Sequence, residues 1–205
     1  MSDTDKPVGF LRIRSRCLFA IVVVGACIVA LVGAATAAAS RHHARRLCKW
    51  ENSHPSQVGV AKVRQAVLCL INHERRDFGL PQFHVSRQLN NAAQAWANTM
   101  VATGNSGNGN LAAQISAAGY NWSEAGSVVG SGFATASSMV RGWMGDVGHC
   151  TVILDPVYRS VGTGVNAHAV SGFWRKGATY AEDYGISMGQ SAASGNWGPA
   201  DHCPY

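Results

Sequence analysis

The sequence lacks the markers of several common activities. It has no H-x-x-x-H pair and no Cys/His spacing of a zinc site. The glycines from Gly104 to Gly109 are not followed by Lys-Ser or Lys-Thr, so there is no phosphate-binding loop. It has no internal repeat and no sign of a second folded domain. The formal charge of +6 does not describe the folded part, because from Trp50 onward nine Lys and Arg face nine Asp and Glu. A nucleic-acid binder needs a basic stripe on its domain, and none is visible. No cofactor is expected.

The excess of cations lies around an apolar leader. Arg12, Arg14 and Arg16 precede a run from Cys17 to Ala39 without charge, and Arg41, Arg45, Arg46 and Lys49 follow it. Residues 1–39 therefore read as a signal peptide or a membrane anchor. The run can span the ~30 Å of hydrocarbon in a bilayer. Its Ala-rich end offers Ala35-Thr36-Ala37 and Ala37-Ala38-Ala39 as small-x-small cleavage sites, which favours removal. Val24-Gly25-Ala26-Cys27 imitates a lipoprotein signal, but apolar residues continue beyond Cys27. Residues 40–57, polar and broken by Pro55, read as a linker, and 58–205 as one domain. Outside the leader stand Cys48, Cys69, Cys150 and Cys203, an even set suited to an oxidising compartment. Of three pairings, Cys48–Cys69 and Cys150–Cys203 are favoured. They would close loops worth ~3 and ~4 kcal/mol in the chain-entropy view. For Cys69, on an apolar helical face, a buried free thiol is the alternative.

Val60, Val63, Val67, Leu70 and Ile71 recur with helical period up to Phe78-Gly79-Leu80-Pro81. Ser86 caps a second helix with Leu89, Ala92, Ala93, Trp96, Ala97 and Met100 on one stripe, ended by Gly104. Leu111 to Ala118 is a short helix, and Thr135 caps another through Trp143. Ala125–Gly130 reads as a strand, and alternation from Val161 to Ala169 and from Tyr180 to Tyr184 gives two more around a loop at Ser171–Lys176. The class is α+β, a small sheet covered by helices.

Several segments carry a resemblance. Val67 to Arg75 is similar to an "LINxER" first helix, and Phe78-Gly79-Leu80-Pro81 to the "xGLP" after it. Ile115 to Tyr120 resembles "RIxAAGY". Gly142 to Pro156 resembles "WMxSxGHxxxIL" and its sequel, Val161 to Val165 resembles "VGxGV", and Glu182 to Gly185 a closing "QDFG". Together they resemble the bacterial CAP superfamily (SCP-like; cysteine-rich secretory proteins, antigen 5 and pathogenesis-related proteins) over about residues 58–187. The resemblance implies an exported three-layer α/β/α sandwich around a small antiparallel sheet. It also implies a polar cleft of two His and carboxylates. Here His149 is retained, Asn108 stands where the family has a His, Ser127 replaces a Glu, and the remaining carboxylate is not placed. An amide and a hydroxyl are poor metal ligands, so no metal site is expected.

Two readings of His149 stay open: an imidazole bonded to its own turn, or a binding residue. Among the other histidines, His42, His43 and His54 fall in the linker, His73 and His84 beside helix ends, His168 on a strand and His202 in the tail. The expected function is a non-enzymatic binding or interaction module, a monomer outside the cell or at the outer face of the membrane. It would take a small apolar or cell-wall ligand and bind no nucleic acid. The runner-up is a hydrolase pairing Ser127 with His149, which needs an orienting carboxylate and an oxyanion hole. Asp146 and Glu124 are the nearest in sequence. A purely structural envelope protein is the third.

If the leader is cleaved, N-terminal sequencing of exported protein reads a start near Ser40. If it is retained, the protein partitions with membranes. Soluble cytoplasmic protein with Met1 intact would contradict both.

Overall fold

The computed structural model describes residues 48–192 and Cys203. The leader, including the run 17–39 read as a signal or anchor, lies outside the described residues. Among these, no helix is long and apolar enough to cross a membrane. The unit from Leu47 to Tyr205 is described by itself.

The described residues of this unit form six helices and four strands. Helix α1 (Pro55–Val58) leads into α2 (Val60–Asp77), then β1 (His84–Val85), α3 (Arg87–Thr103) and α4 (Leu111–Ala117). Strand β2 (Trp122–Phe133), α5 (Ala136–Met144), α6 (Val147–Ile153), β3 (Ser160–Asn166) and β4 (Ala178–Ser187) complete it. The sheet order is β1-β3-β4-β2. Strand β4 pairs antiparallel with β2 and β3, and only the two-residue β1 runs parallel to β3. Helices α2 and α5 pack on one face, α3 and α4 on the other. This is the α+β sandwich of three layers.

Local chemistry explains most boundaries. Ser86 Oγ accepts from Leu89 N at 3.3 Å and caps α3, and Gly104 ends it at φ 76°. Thr135 and Ser138 form a capping box at the start of α5. Residues 48–57 carry structure of their own: Cys48 and Pro55 are buried, and His54 caps α1. Three elements differ from the sequence reading. The segment after Asp146 is a helix, because the Asp146 carboxylate accepts from His149 N at 3.0 Å and starts it. Strand β3 stops at Asn166, whose side chain turns back to accept from His168 N, so His168 is in a loop and not on a strand. Residue His84, expected beside a helix end, is in β1, where its N–H donates to Arg159 O.

The first helix organises the layers through two polar residues of its LINxER-like stretch. Asn72 accepts from Phe83 N at 2.8 Å and donates to Phe83 O at 3.3 Å. Arg75 is fully buried and donates to three carbonyls at 2.8 Å, those of Pro81, Ile153 and Asp155. Its guanidinium also lies 3.8 Å from the Phe83 ring centre. One side chain thus ties the end of α2, the loop after it and the end of α6. Burial lowers its pKa to about 10, still charged at neutral pH.

On the opposite face α3 sits almost on the backbone of β3. A Cβ at Gly162 would fall 2.0 Å from the Leu89 carbonyl carbon, and one at Gly164 2.0 Å from Ala93 O. Only glycine allows that approach, which accounts for the VGxGV-like stretch. Beyond β1 the outer edge of β3 is closed by amides of α3. Asn90 accepts from Thr163 N, and Gln94 both accepts from Val165 N and donates to Val165 O. Arg64 in turn donates to Gln94. Side chains here satisfy groups that would otherwise present an open sheet edge.

Both disulfides join the partners favoured from spacing, Cys48 to Cys69 and Cys150 to Cys203.

Replacing Arg75 by Met takes the donor from one buried carbonyl, that of Ile153, and from two part-buried ones, those of Pro81 and Asp155, each worth up to ~1–3 kcal/mol. Urea denaturation of oxidised protein should show a loss of at least ~3 kcal/mol. Arg75→Lys should recover only part of it, since an ammonium cannot reproduce the planar fork. Wild-type stability in Arg75→Met would refute the assignment.

Candidate functional site

The loop from Gly104 to Asn110 follows α3 and is held from two sides. Trp96 Nε1 donates to Gly107 O at 2.9 Å, and Gln114 Nε2 to Asn108 O at 3.2 Å. Gly109 adopts φ 67°, and a Cβ there would strike the Trp96 ring at 2.4 Å. The loop is therefore seated on the α3–α4 layer, and it carries Asn108 to the sheet. Asn108 Nδ2 donates to Ser127 O at 3.5 Å, a long bond that brings these two residues together.

Ser127 lies in the middle of β2, directly opposite Asp183 of β4. Asp183 brings to Ser127 a carboxylate that sequence reasoning did not single out. Its side chain is fully buried, and among the described residues neither its oxygens nor Ser127 Oγ has a hydrogen-bond partner of good geometry. Burial pushes its pKa up to about 7, and the nearby Ser127 hydroxyl opposes that shift. Polarity thus descends into the sandwich from an exposed amide to a half-buried hydroxyl to a buried carboxyl. The signal was present in the sequence as two adjacent carboxylates on a strand, Glu182 and Asp183. Strand alternation sends them to opposite faces.

Glu182 belongs to the other face. It is opposite Thr163 on β3 and fully buried. Burial raises its pKa well above the ordinary carboxylate range, against the Thr163 side chain and the charge of Arg64.

Among the described residues, no hydrogen bond joins His149 to this group. The residue is in the first turn of α6, half exposed, with Nδ1 2.8 Å from Asp146 Oδ1. That is a charge contact when the ring is protonated, not a directed hydrogen bond. The same carboxylate accepts from His149 N, and that backbone bond is the main reason its pKa is lowered. Asp146 therefore does reach His149. Ser127 Oγ, however, makes no hydrogen bond to the imidazole. Between Ser127 and His149 no hydrogen bond is formed, and what bonds the Asp146 cap is the backbone N–H of His149.

The donor set at Asn108 and Ser127 does not suit a transition ion. It offers an amide, a hydroxyl and a carboxyl that burial keeps protonated to about pH 7, where such an ion wants several thiolates, imidazoles or carboxylates. Among the described residues, the three metal-ligating side chains that do cluster are Cys48, Cys69 and His73. The two sulfurs there are bonded to each other.

A family model described as CAP, Cysteine-rich secretory protein family, matches residues 68–181. The fold is similar to that of an extracellular protein containing a SCP domain from Bacillus anthracis, with TM-score 0.51 and 15% identity. That match covers 63% of this chain and 44% of the other. An outer surface protein of Borrelia burgdorferi is similar with TM-score 0.57 and 10% identity, covering 64% of this chain and 97% of the other. No curated protein matches the chain.

Asp183 sets a pH dependence. Its folded pKa of about 7 lies above its unfolded value, so the folded state holds a proton that the unfolded state has lost. The stability it supports is complete below about pH 4 and falls as pH rises from there to about 7. Asp183→Asn should remove that part of the slope, a relative gain on the order of 4 kcal/mol at pH 8. Thermal unfolding across this range reads the difference. Parallel curves for the two proteins would refute the buried carboxyl.

Proposed function

Because the chain belongs to the cysteine-rich secretory protein family, we propose that it acts outside the cytoplasm as a non-enzymatic binding module of the cell envelope. It holds a small apolar or cell-wall ligand at the cleft of Asn108, Ser127 and Asp183. The observation that carries this reading is that Ser127 Oγ and the Asp183 carboxyl face each other there and, among the described residues, have no well-formed hydrogen bond to any further group. Buried polar groups normally have partners. A ligand hydroxyl or carbonyl would supply one, and below about pH 7 the protonated carboxyl can donate to it.

The address follows from separate features. Two disulfides suit an oxidising compartment. The uncharged run 17–39 suits export, with membrane attachment through it if uncleaved. The hydrolase alternative is the weaker one, since His149 Nδ1 lies against Asp146 and Ser127 Oγ makes no hydrogen bond to an imidazole.

Mass spectrometry of small molecules that co-purify with the exported protein tests the reading. One apolar or glycan-derived species should be retained near stoichiometry, and retention should fall at least ~10-fold in Ser127→Ala, which removes the hydroxyl without adding bulk. Retention unchanged in that variant would move the ligand elsewhere. Turnover of an ester or peptide substrate abolished by Ser127→Ala and His149→Ala would restore the hydrolase.

A further inference from the structure

The loop between β3 and β4 presents an unusual tip. Phe173 and Trp174 are 45% and 58% exposed, the two exposed large aromatics among the described residues, and they are adjacent. Arg175 and Lys176 follow them, both exposed. The loop that shows these rings is tied at its base. Val170 is buried, and its N–H donates to Ser131 Oγ at 2.8 Å. Ser131 shares a 2.9 Å bond with Thr179 Oγ1, which donates to His168 O. Two tight turns close the tip, with Phe173 N donating to Val170 O and Gly177 N to Trp174 O. At Gly177 a Cβ would lie 2.2 Å from the backbone of Gly132, so the loop is pressed against β2. The structure fixes the apolar tip outward rather than folding it in.

Charge near the tip in sequence has one sign. Residues 156–181 contain no Asp or Glu, nor do residues 78–123, which include all of α3 and α4. An open groove of about 650 Å³ beside the tip is lined by Val101 of α3, His168, Val170, Phe173 and Arg175. No carboxylate stands near enough in sequence to neutralise the two cations. Aromatic rings flanked by cations match the depth order of an anionic bilayer surface, with rings at the headgroup level and cations at the phosphates. A folded protein partner would need roughly 800 Å² on this side, far more than a four-residue tip offers.

We propose that the Phe173-Trp174-Arg175-Lys176 tip docks the domain onto an anionic phospholipid bilayer. The site is separate from the cleft of Asn108 and Ser127, and it stands whether or not that cleft holds a ligand. Docking would orient the domain with the β3–β4 loop and the adjoining end of α3 toward the membrane. Affinity from so few groups is modest, about fivefold per cation, so the tip works as an orienting contact beside whatever tether the chain carries.

Tryptophan quenching tests this on the whole exported protein. All six tryptophans lie at or after Trp50, so the leader contributes no signal. Vesicles carry brominated acyl chains in either phosphatidylcholine alone or phosphatidylcholine with phosphatidylglycerol. The Trp174 component is the difference between wild type and Trp174→Phe, which keeps an aromatic ring at the tip. It should be quenched about twofold or more on the anionic vesicles. It should be unquenched on neutral vesicles and in the Arg175→Ser/Lys176→Ser variant. No quenching on either vesicle overturns the proposal, as does equal quenching on both. A Trp174 change produced by cell-wall glycan and not by lipid assigns the tip to a glycan instead.

Discussion

The buried guanidinium of Arg75 is the constraint on which the described fold depends. A charge without water must be surrounded by acceptors, and here they come from three separate parts of the chain. Pro81 closes the loop after α2, while Ile153 and Asp155 end α6 and begin the approach to β3. Satisfying Arg75 therefore sets where the helix carrying His149 ends and where β3 enters the sheet. Asn72, one turn earlier on α2, fixes Phe83 before β1 in the same way. Packing alone would tolerate small displacements of these segments, whereas a guanidinium with directed donors does not.

The second face obeys a steric rule instead. Glycines at 162 and 164 let α3 approach the β3 backbone, and the amides of Asn90 and Gln94 then reach the strand edge. Bringing α3 this close also brings the loop after it over the sheet, so Asn108 meets Ser127. The Asn108–Ser127 contact is thus a product of the α3 approach, and the chemistry beside it is that of the groups which β2 and β4 point there. Ser127 and Asp183 face each other because they share a register position. His149 hangs on the other constraint, at the start of the helix whose end Arg75 holds. Among the described residues, no hydrogen bond joins the retained histidine to Ser127 or Asp183.

Much of this was legible in the sequence, for physical reasons. Long periodic helices declare themselves, and Ser86, Thr135 and Gly104 mark their ends through side-chain oxygens and a left-handed turn. The family resemblance rested on the same residues that do mechanical work, Asn72, Arg75, Gly162 and Gly164. Short elements were not legible. Helix α6 is seven residues long and depends on a single Asp cap, and β1 is two residues long and exists only because β3 is beside it. The partner of Ser127 was hidden because register between β2 and β4, separated by about 50 residues in sequence, is a tertiary property. The adjacent pair Glu182 and Asp183 was a usable hint. Two neighbouring carboxylates on a strand buried on both faces need two separate explanations.

The central claim is that this member of the family has a binding cleft whose chemistry is neutral rather than metallic. Calorimetric titration of zinc into the natural chain at pH 6 to 7 tests it most directly. The account predicts no binding tighter than about micromolar, which corresponds to roughly 8 kcal/mol. Stoichiometric binding tighter than that, lost in His149→Ala and in Asp183→Asn, would contradict it. The retained histidine and the buried carboxylate would then belong to one metal centre, and a catalytic reading would take the place of the binding module.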